Sequence, residues 1–291
     1  MYPFDDAFIV NQLFGFLTVR WYAVAILGGA MLAAWFGARR VTLRGYDADH
    51  VWNLLAFGLI TSIAFARAWY VFFEWPSFRD KSVLYIINPA TGGIAIQGAI
   101  VGALCGAFLY TRWYKLSFLE WIDLGAPCLS IGQAIGRWGN FMNQEAYGRP
   151  MATPLPWGLR IDADRRVPAF PAETYPVATT RFHPTFLYES LWNVLVLIAL
   201  LAMERRFRRR LFPGDEFLVY GILYSVGRFF IEGLRTDSLC SNGIGGACAG
   251  ALRAAQVTAI VTIVLFGALL ALRHLRRRPA QAEPARPLVN E

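Results

Sequence analysis

Charge is scarce in this chain. Asp, Glu, Lys and Arg make up 16% of its 291 residues, against 56% hydrophobic and 15% aromatic, and the mean hydropathy is +0.39. That balance excludes an ordinary soluble domain and describes a multi-spanning membrane protein. Histidine is rarer still, with three residues, and no zinc spacing joins the four cysteines, so neither a metal site nor a cofactor is expected. The N-terminus has no basic n-region, carrying Asp5 and Asp6 instead, and is not expected to be a cleavable signal peptide. No internal repeat is visible, which counts against many transporter folds.

The charge that is present lies at the ends of hydrophobic segments. Net charge is +8 and the pI is near 9.6. The arginines gather in Arg39-Arg40, in Arg205–Arg210 and in Arg273–Arg278. This is the pattern of loops kept on the cytoplasmic side of a membrane, not of a nucleic-acid surface. Seven spans are expected, at about Thr18–Gly37, Val51–Phe73, Gly93–Tyr110, Phe118–Asn140, Pro184–Met203, Phe217–Leu234 and Ala254–Leu272. The fold class is therefore an all-α integral membrane protein. Alternating the spans puts the basic clusters on one side, with the N-terminus outside and the C-terminus inside. Residues 1–278 form one membrane domain. Within it, the proline- and aromatic-rich segment 146–183 is expected as a small folded cap on the outer side. The tail 279–291 is expected to be disordered.

The most informative stretch ends the fourth span. Gly136-Arg137-Trp138-Gly139-Asn140-Phe141-Met142-Asn143-Gln144-Glu145 packs amides, a cation and an acid behind an apolar run. On a continuous helix Gln133, Arg137, Asn140 and Gln144 share one face. An arginine at the centre of a spanning helix costs roughly 2.5–3.5 kcal/mol, so it usually faces protein or a wet cavity, unless it snorkels to the interface. Arg67 in span two, Arg137, and Arg228 in span six fall at one depth near the outer surface. Tyr224, Arg228, Glu232 and Arg235 follow one side of span six, and Glu232 can neutralise one arginine by an i,i+4 pair. Guanidiniums at headgroup depth suit an anionic phosphate, because the planar fork binds two oxygens at once. The residues alone imply an outward-facing phospholipid or phosphate site, and leave open whether it catalyses or transports.

Gly136-Arg137-x-Gly139-Asn140-Phe141-x-Asn143-x-Glu145-x-x-Gly148-Arg149 resembles the signature of the prolipoprotein diacylglyceryl transferase family. Arg20-Trp21-Tyr22, the Gly92-Gly93 run, His183-Pro184-x-x-Leu187-Tyr188-Glu189 and Arg228-x-x-x-Glu232-x-x-Arg235 agree in order and place. The resemblance implies a seven-span enzyme of the bacterial plasma (inner) membrane with its active site on the periplasmic side. It implies transfer of the diacylglyceryl group of phosphatidylglycerol to the lipobox cysteine of a preprolipoprotein signal peptide, within the lipid bilayer. The products would be a thioether and glycerol phosphate.

Carried onto this chain, Arg137 and Arg228 would bind the phosphodiester. Asn140, Tyr22, Asn143, Glu145, Gly148, Gln97 and Arg67 would contribute to substrate binding. Glu232 would orient Arg228, and Arg235 would order the outer loop. One position departs from the family pattern: Gln97 stands where a histidine is common, and cannot accept a proton usefully near pH 7. If a histidine is the base it must be His183, since His50 and His274 lie at the other membrane face. A histidine before proline also caps helix starts, and a thiol near arginines can ionise without a base. Two other readings remain: an anion or phospholipid transporter using the same arginines, and a non-catalytic family member that only binds lipid. Cys240 and Cys248 fall outside on this topology and are expected to form a disulfide, with two free thiols as the alternative.

Overall fold

The computed structural model describes residues 8–13, 17–153, 155–240, 243–244 and 252–276. Strands β1 (Phe8–Leu13) and β2 (Leu17–Arg20) pair antiparallel and lead into α1 (Trp21–Thr42). Helix α2 (Asp49–Phe73) is followed by two short helices, α3 (Trp75–Phe78) and α4 (Val83–Ile87). The long helices α5 (Ile96–Trp113), α6 (Phe118–Asn143), α7 (Thr185–Phe207) and α8 (Asp215–Glu232) come next. A two-residue ribbon, β3 (Leu239–Cys240) with β4 (Gly243–Ile244), precedes α9 (Ala254–Arg276). The two small ribbons depart from the all-helical expectation.

Among the described residues the long helices fall on the seven apolar stretches. Four of them, α1, α2, α7 and α9, are long and apolar enough to cross a membrane on length and composition alone. The other three carry the polar residues that dilute them: Gln97 and Arg112 in α5; Glu120, Asp123 and Arg137 in α6; Asp215, Glu216, Arg228 and Glu232 in α8. Outward faces present Leu27, Ile60, Leu195 and Val264, each more than half exposed, as a hydrocarbon solvent requires.

Helix α6 packs against α1, α5, α7 and α8. It can afford its low hydrophobicity because other helices, not lipid, surround it; Asp123, Pro127, Ser130 and Gly139 are buried. Helices α2 and α5 meet closely because Gly98, Gly102 and Gly106 recur every fourth residue of α5. A Cβ on Gly98 would lie 2.4 Å from the Phe65 carbonyl oxygen, and one on Gly102 would lie 2.5 Å from that of Thr61. This is the small-residue packing that lets membrane helices approach.

One end of the bundle is laced by ion pairs. Arg40 reaches Glu204 at 2.7 Å and Glu216 at 3.4 Å, and Arg44 also pairs with Glu204, so α1 is tied to α7 and α8. His274 and Arg273 pair with Asp215. Asp123 accepts from the backbone N–H groups of Gly214 (2.6 Å) and Phe217 (2.8 Å), satisfying donors at the start of α8.

At the other end the 146–183 segment folds around Tyr147, Ile161 and Phe182, with Leu159, Val167 and Phe170 packed on them. Backbone bridges join Phe182 to Pro150 and Leu159. The Tyr147 hydroxyl accepts from Val167 N–H at 2.7 Å and donates to the Arg165 carbonyl at 3.3 Å. Burial pushes its pKa up. The tail 279–291 and Cys248 lie outside the described residues. Cys240 is disulfide-bonded, whereas Cys105 and Cys128 are free thiols.

Candidate active site

Helices α6, α7 and α8 come together around one buried carboxylate, at the end of the bundle that carries the 146–183 segment. Glu189, in the first turns of α7, pairs with Arg137 of α6, with Arg228 of α8 at 2.9 Å and with Arg235 at 3.3 Å. Glu232 pairs with Arg228 at 2.6 Å across one helical turn, and approaches Arg235 at 4.0 Å. Asp237 closes the cluster on Arg235 with a two-pronged contact of 2.9 and 2.7 Å. Three guanidiniums thus face three carboxylates. Glu189 and Glu232 are buried, and an ion of either sign would be costly there without its partners.

The three arginines are not equivalent. Arg235 directs Nε and Nη2 at Asp237 and Nη1 at Glu189. Burial alone would lower its pKa, but Asp237, Glu189 and Glu232 outweigh that and raise it. Conversely, burial would raise the Asp237 carboxyl, and the Arg235 contacts instead hold it below its ordinary value. Arg228 gives one terminal nitrogen to Glu189 and the other to Glu232. Arg137 pairs with Glu189 through Nε alone. Its two terminal nitrogens have no hydrogen bond or ion pair among the described residues, and its side chain is 24% exposed. A partly exposed guanidinium edge with no partner of its own is what two phosphate oxygens need.

The other predicted residues take different places. Asn140 and Asn143 both donate through Nδ2 to Glu145 Oε1, at 3.0 and 3.3 Å, forming a polar shelf after Arg137. Gln144 leaves the face expected of it. It ends α6 in a left-handed conformation (φ 52°) and clasps Asp162 of the cap, its amide donating at 2.6 Å and accepting at 2.9 Å. Gln133 lies deeper, one turn before Arg137 on α6, and its Oε1 is buried without a hydrogen-bond partner among the described residues. Tyr22 packs its ring on Gly139, where any Cβ would come within 2.6 Å of it. Gly148 bridges to Arg235 and donates to the His183 carbonyl at 2.9 Å, joining cap, α7 and the arginine cluster.

His183 stands just before α7, its Nδ1 3.2 Å from the Tyr188 hydroxyl. The helix starts at Pro184 without a side-chain cap, so the ring does not serve as one. His50 bonds Tyr110, and His274 bonds Asp215 at the start of α8. That start lies about 25 Å from Glu232 at 1.5 Å per residue.

Arg67 and Gln97 are not brought to the cluster. All five Arg67 N–H groups go to α4 and the segment after it: Ile86 O at 2.7 Å, Tyr85 O, Thr91 Oγ1 and Gly93 O at 2.9 Å, and Gly92 O. An apolar cavity of about 490 Å³ lies beside it, lined by Ile63, Val71, Phe72, Trp75 and Ile87. This suits hydrocarbon rather than phosphate. Gln97 is exposed in the first turn of α5.

The profile of one family, prolipoprotein diacylglyceryl transferase, matches residues 9–272. The chain belongs to that family. A phosphatidylglycerol–prolipoprotein diacylglyceryl transferase of Chloroflexus aggregans is 52% identical over 98% of this chain and 94% of its own length. Proteins of the same name from Thermosynechococcus vestitus (42% identical; 86% of this chain, 87% of the relative) and Geobacillus kaustophilus (40%; 94% of each) are also similar. As a member of the diacylglyceryl transferase family the protein is a transferase, and its apolar helices make it a multi-pass membrane protein. Glu189 stands in the His183–Glu189 motif with no role expected of it, and Asp237 and Arg253 are not among the expected site residues. Arg253 is buried and donates to the carbonyls of Glu232 and Arg235 (the latter at 2.9 Å) and to Ser238 Oγ at 2.7 Å, pinning the turn after α8. The one sequence signal for Glu189 was an acid inside an apolar helix.

Proposed function

We propose that this protein transfers the diacylglyceryl group of phosphatidylglycerol to the lipobox cysteine thiol of preprolipoproteins. The observation that carries the reading is the unengaged terminal pair of Arg137 nitrogens, held beside Arg228 by Glu189. Sulfur attacks the glycerol carbon that bears the phosphate ester, forming the C–S bond. The C–O bond breaks, its electron pair stays on the phosphate oxygen, and glycerol phosphate leaves. Arg137 meets the negative charge that grows on that oxygen with a preset donor pair, and Arg228 adds its charge from the side. Asn140 and Asn143, oriented by Glu145, present amide groups to the headgroup glycerol. His183, at this end of the bundle, accepts the thiol proton.

The chain is proposed to cross a bacterial plasma membrane seven times, with this cluster on the periplasmic side, the cap above it and the C-terminus in the cytoplasm. The gathering of Arg40, Arg44 and Arg273 at the opposite end supports that orientation. The polar helices α5, α6 and α8 would cross within the shelter of the others. The test is to incubate the purified protein with phosphatidylglycerol and a lipobox peptide. Stoichiometric glycerol phosphate and a thioether-linked peptide are expected. Lipid binding without either product would leave only the non-catalytic reading, and anion flux without transfer the transporter.

A further inference from the structure

We propose that Glu189 is a resident counter-ion: it holds the arginines of the phosphate site in position, and its charge drives the phosphate product out. The proposal rests on the transferase reading above and gives Glu189 the part of a positioning residue.

The asymmetry of the cluster carries it. Arg228 has a second carboxylate partner in Glu232 at 2.6 Å, and Arg235 has one in Asp237 at 2.7 Å. Arg137 has Glu189 as its one ion-pair partner among the described residues. Glu189 accepts from all three arginines and is buried, so it fixes where the Arg137 fork points. A phosphodiester arriving on Arg137 brings one negative charge next to that carboxylate. Bond cleavage then converts the diester into a monoester, which carries up to one charge more. Repulsion from Glu189 therefore grows during turnover and is greatest against the product. The same carboxylate that preorganises the arginines weakens their grip on glycerol phosphate. Without Glu189 the Arg137 guanidinium would have no carboxylate beside it, and the site would bind that product tightly and turn over slowly.

The experiment uses the purified full-length protein in detergent or nanodiscs, measuring glycerol phosphate as product inhibitor and by direct calorimetric binding. Glu189→Gln should tighten glycerol phosphate roughly tenfold or more, the scale of one close charge pair. It should also lower KM for phosphatidylglycerol and reduce kcat through slow release. Glu189→Asp keeps the charge and should hold the inhibition constant within about threefold of wild type. In an Arg137→Ala background the Glu189→Gln gain should vanish, because the freed arginine is gone. Glu189→Ser removes the charge in a smaller side chain and gives the same reading if the glutamine variant does not fold. If a folded Gln or Ser variant binds glycerol phosphate no tighter than wild type, the counter-ion role is overturned while the transferase reading stands. If the wild-type protein neither binds glycerol phosphate nor transfers, the underlying reading fails first.

Discussion

Arg137 and Arg228 lie one carboxylate apart, yet their replacement should fail in different ways. Arg137→Ala removes the unengaged fork and should cut transfer by about a hundred- to thousand-fold, the usual effect of losing one donor to a developing oxyanion. The fold should survive, since Glu189 keeps two other partners. Arg137→Lys should rescue poorly, because an ammonium is a point charge without a fork. Arg228→Ala should abolish transfer and also destabilise the protein by roughly 3–5 kcal/mol, the cost of breaking a buried pair. Turnover of each variant beside its thermal unfolding in detergent separates the two. Near-normal turnover in Arg137→Ala would end the phosphate assignment. His183→Gln should slow transfer by roughly 10²–10⁴-fold at neutral pH, with partial recovery as pH rises. A rate unchanged between pH 6 and 8 would give thiolate formation to the arginines instead. These residues were legible because arginines inside apolar helices are conspicuous. Glu189 was not, since an acid gains meaning only from what faces it.

At the scale of elements, the cap and the turn after α8 hold the cluster from outside. Tyr147→Phe strips Val167 N–H of its acceptor and should loosen the cap by about 1–3 kcal/mol. Faster hydrogen exchange around residues 163–170 would record it; unchanged exchange would show that the hydroxyl is dispensable. The Arg235–Asp237 clasp has a defined pH sign. The folded Asp237 carboxyl titrates below its ordinary value, so its stabilisation is fully present above the unfolded pKa of about 4. It is lost as pH falls further, through the lower folded pKa. The Asp237→Asn variant should therefore differ in stability from wild type at pH 6–8, and the difference should shrink below about pH 4. A gap that persisted to pH 2 would mean the charge is not the source. The α2–α5 contact is equally specific: Gly102→Leu should force those helices apart and lower the unfolding temperature in detergent, whereas Ile100→Leu at an exposed position of the same helix should leave it unchanged.

For the whole molecule, the prediction concerns sides. A single cysteine at Trp157 in the cap, in an otherwise cysteine-free chain, should react with an impermeant maleimide in intact cells. One at Arg208, beyond α7, should react only after the membrane is opened. The reverse pattern would invert the proposed orientation, and labelling of both would break the seven-span reading.

Hydrophobic run length and a spaced motif are local properties of the chain, so the class of molecule, the positions of its long helices and the family were legible before any contact was known. The sequence also named most of the polar groups at the site. Which of them meet was decided by tertiary structure. Arg67 and Arg137 looked alike along the sequence, each an arginine near the outer end of an apolar helix. Pairing α2 with α5 turned Arg67 onto the carbonyls of Tyr85, Ile86, Gly92 and Gly93. Packing α6 against α7 set Arg137 against Glu189 with its fork free. Glu189 takes partners 39 and 46 residues away in Arg228 and Arg235, and no periodicity within one helix encodes which neighbour will supply the opposite charge.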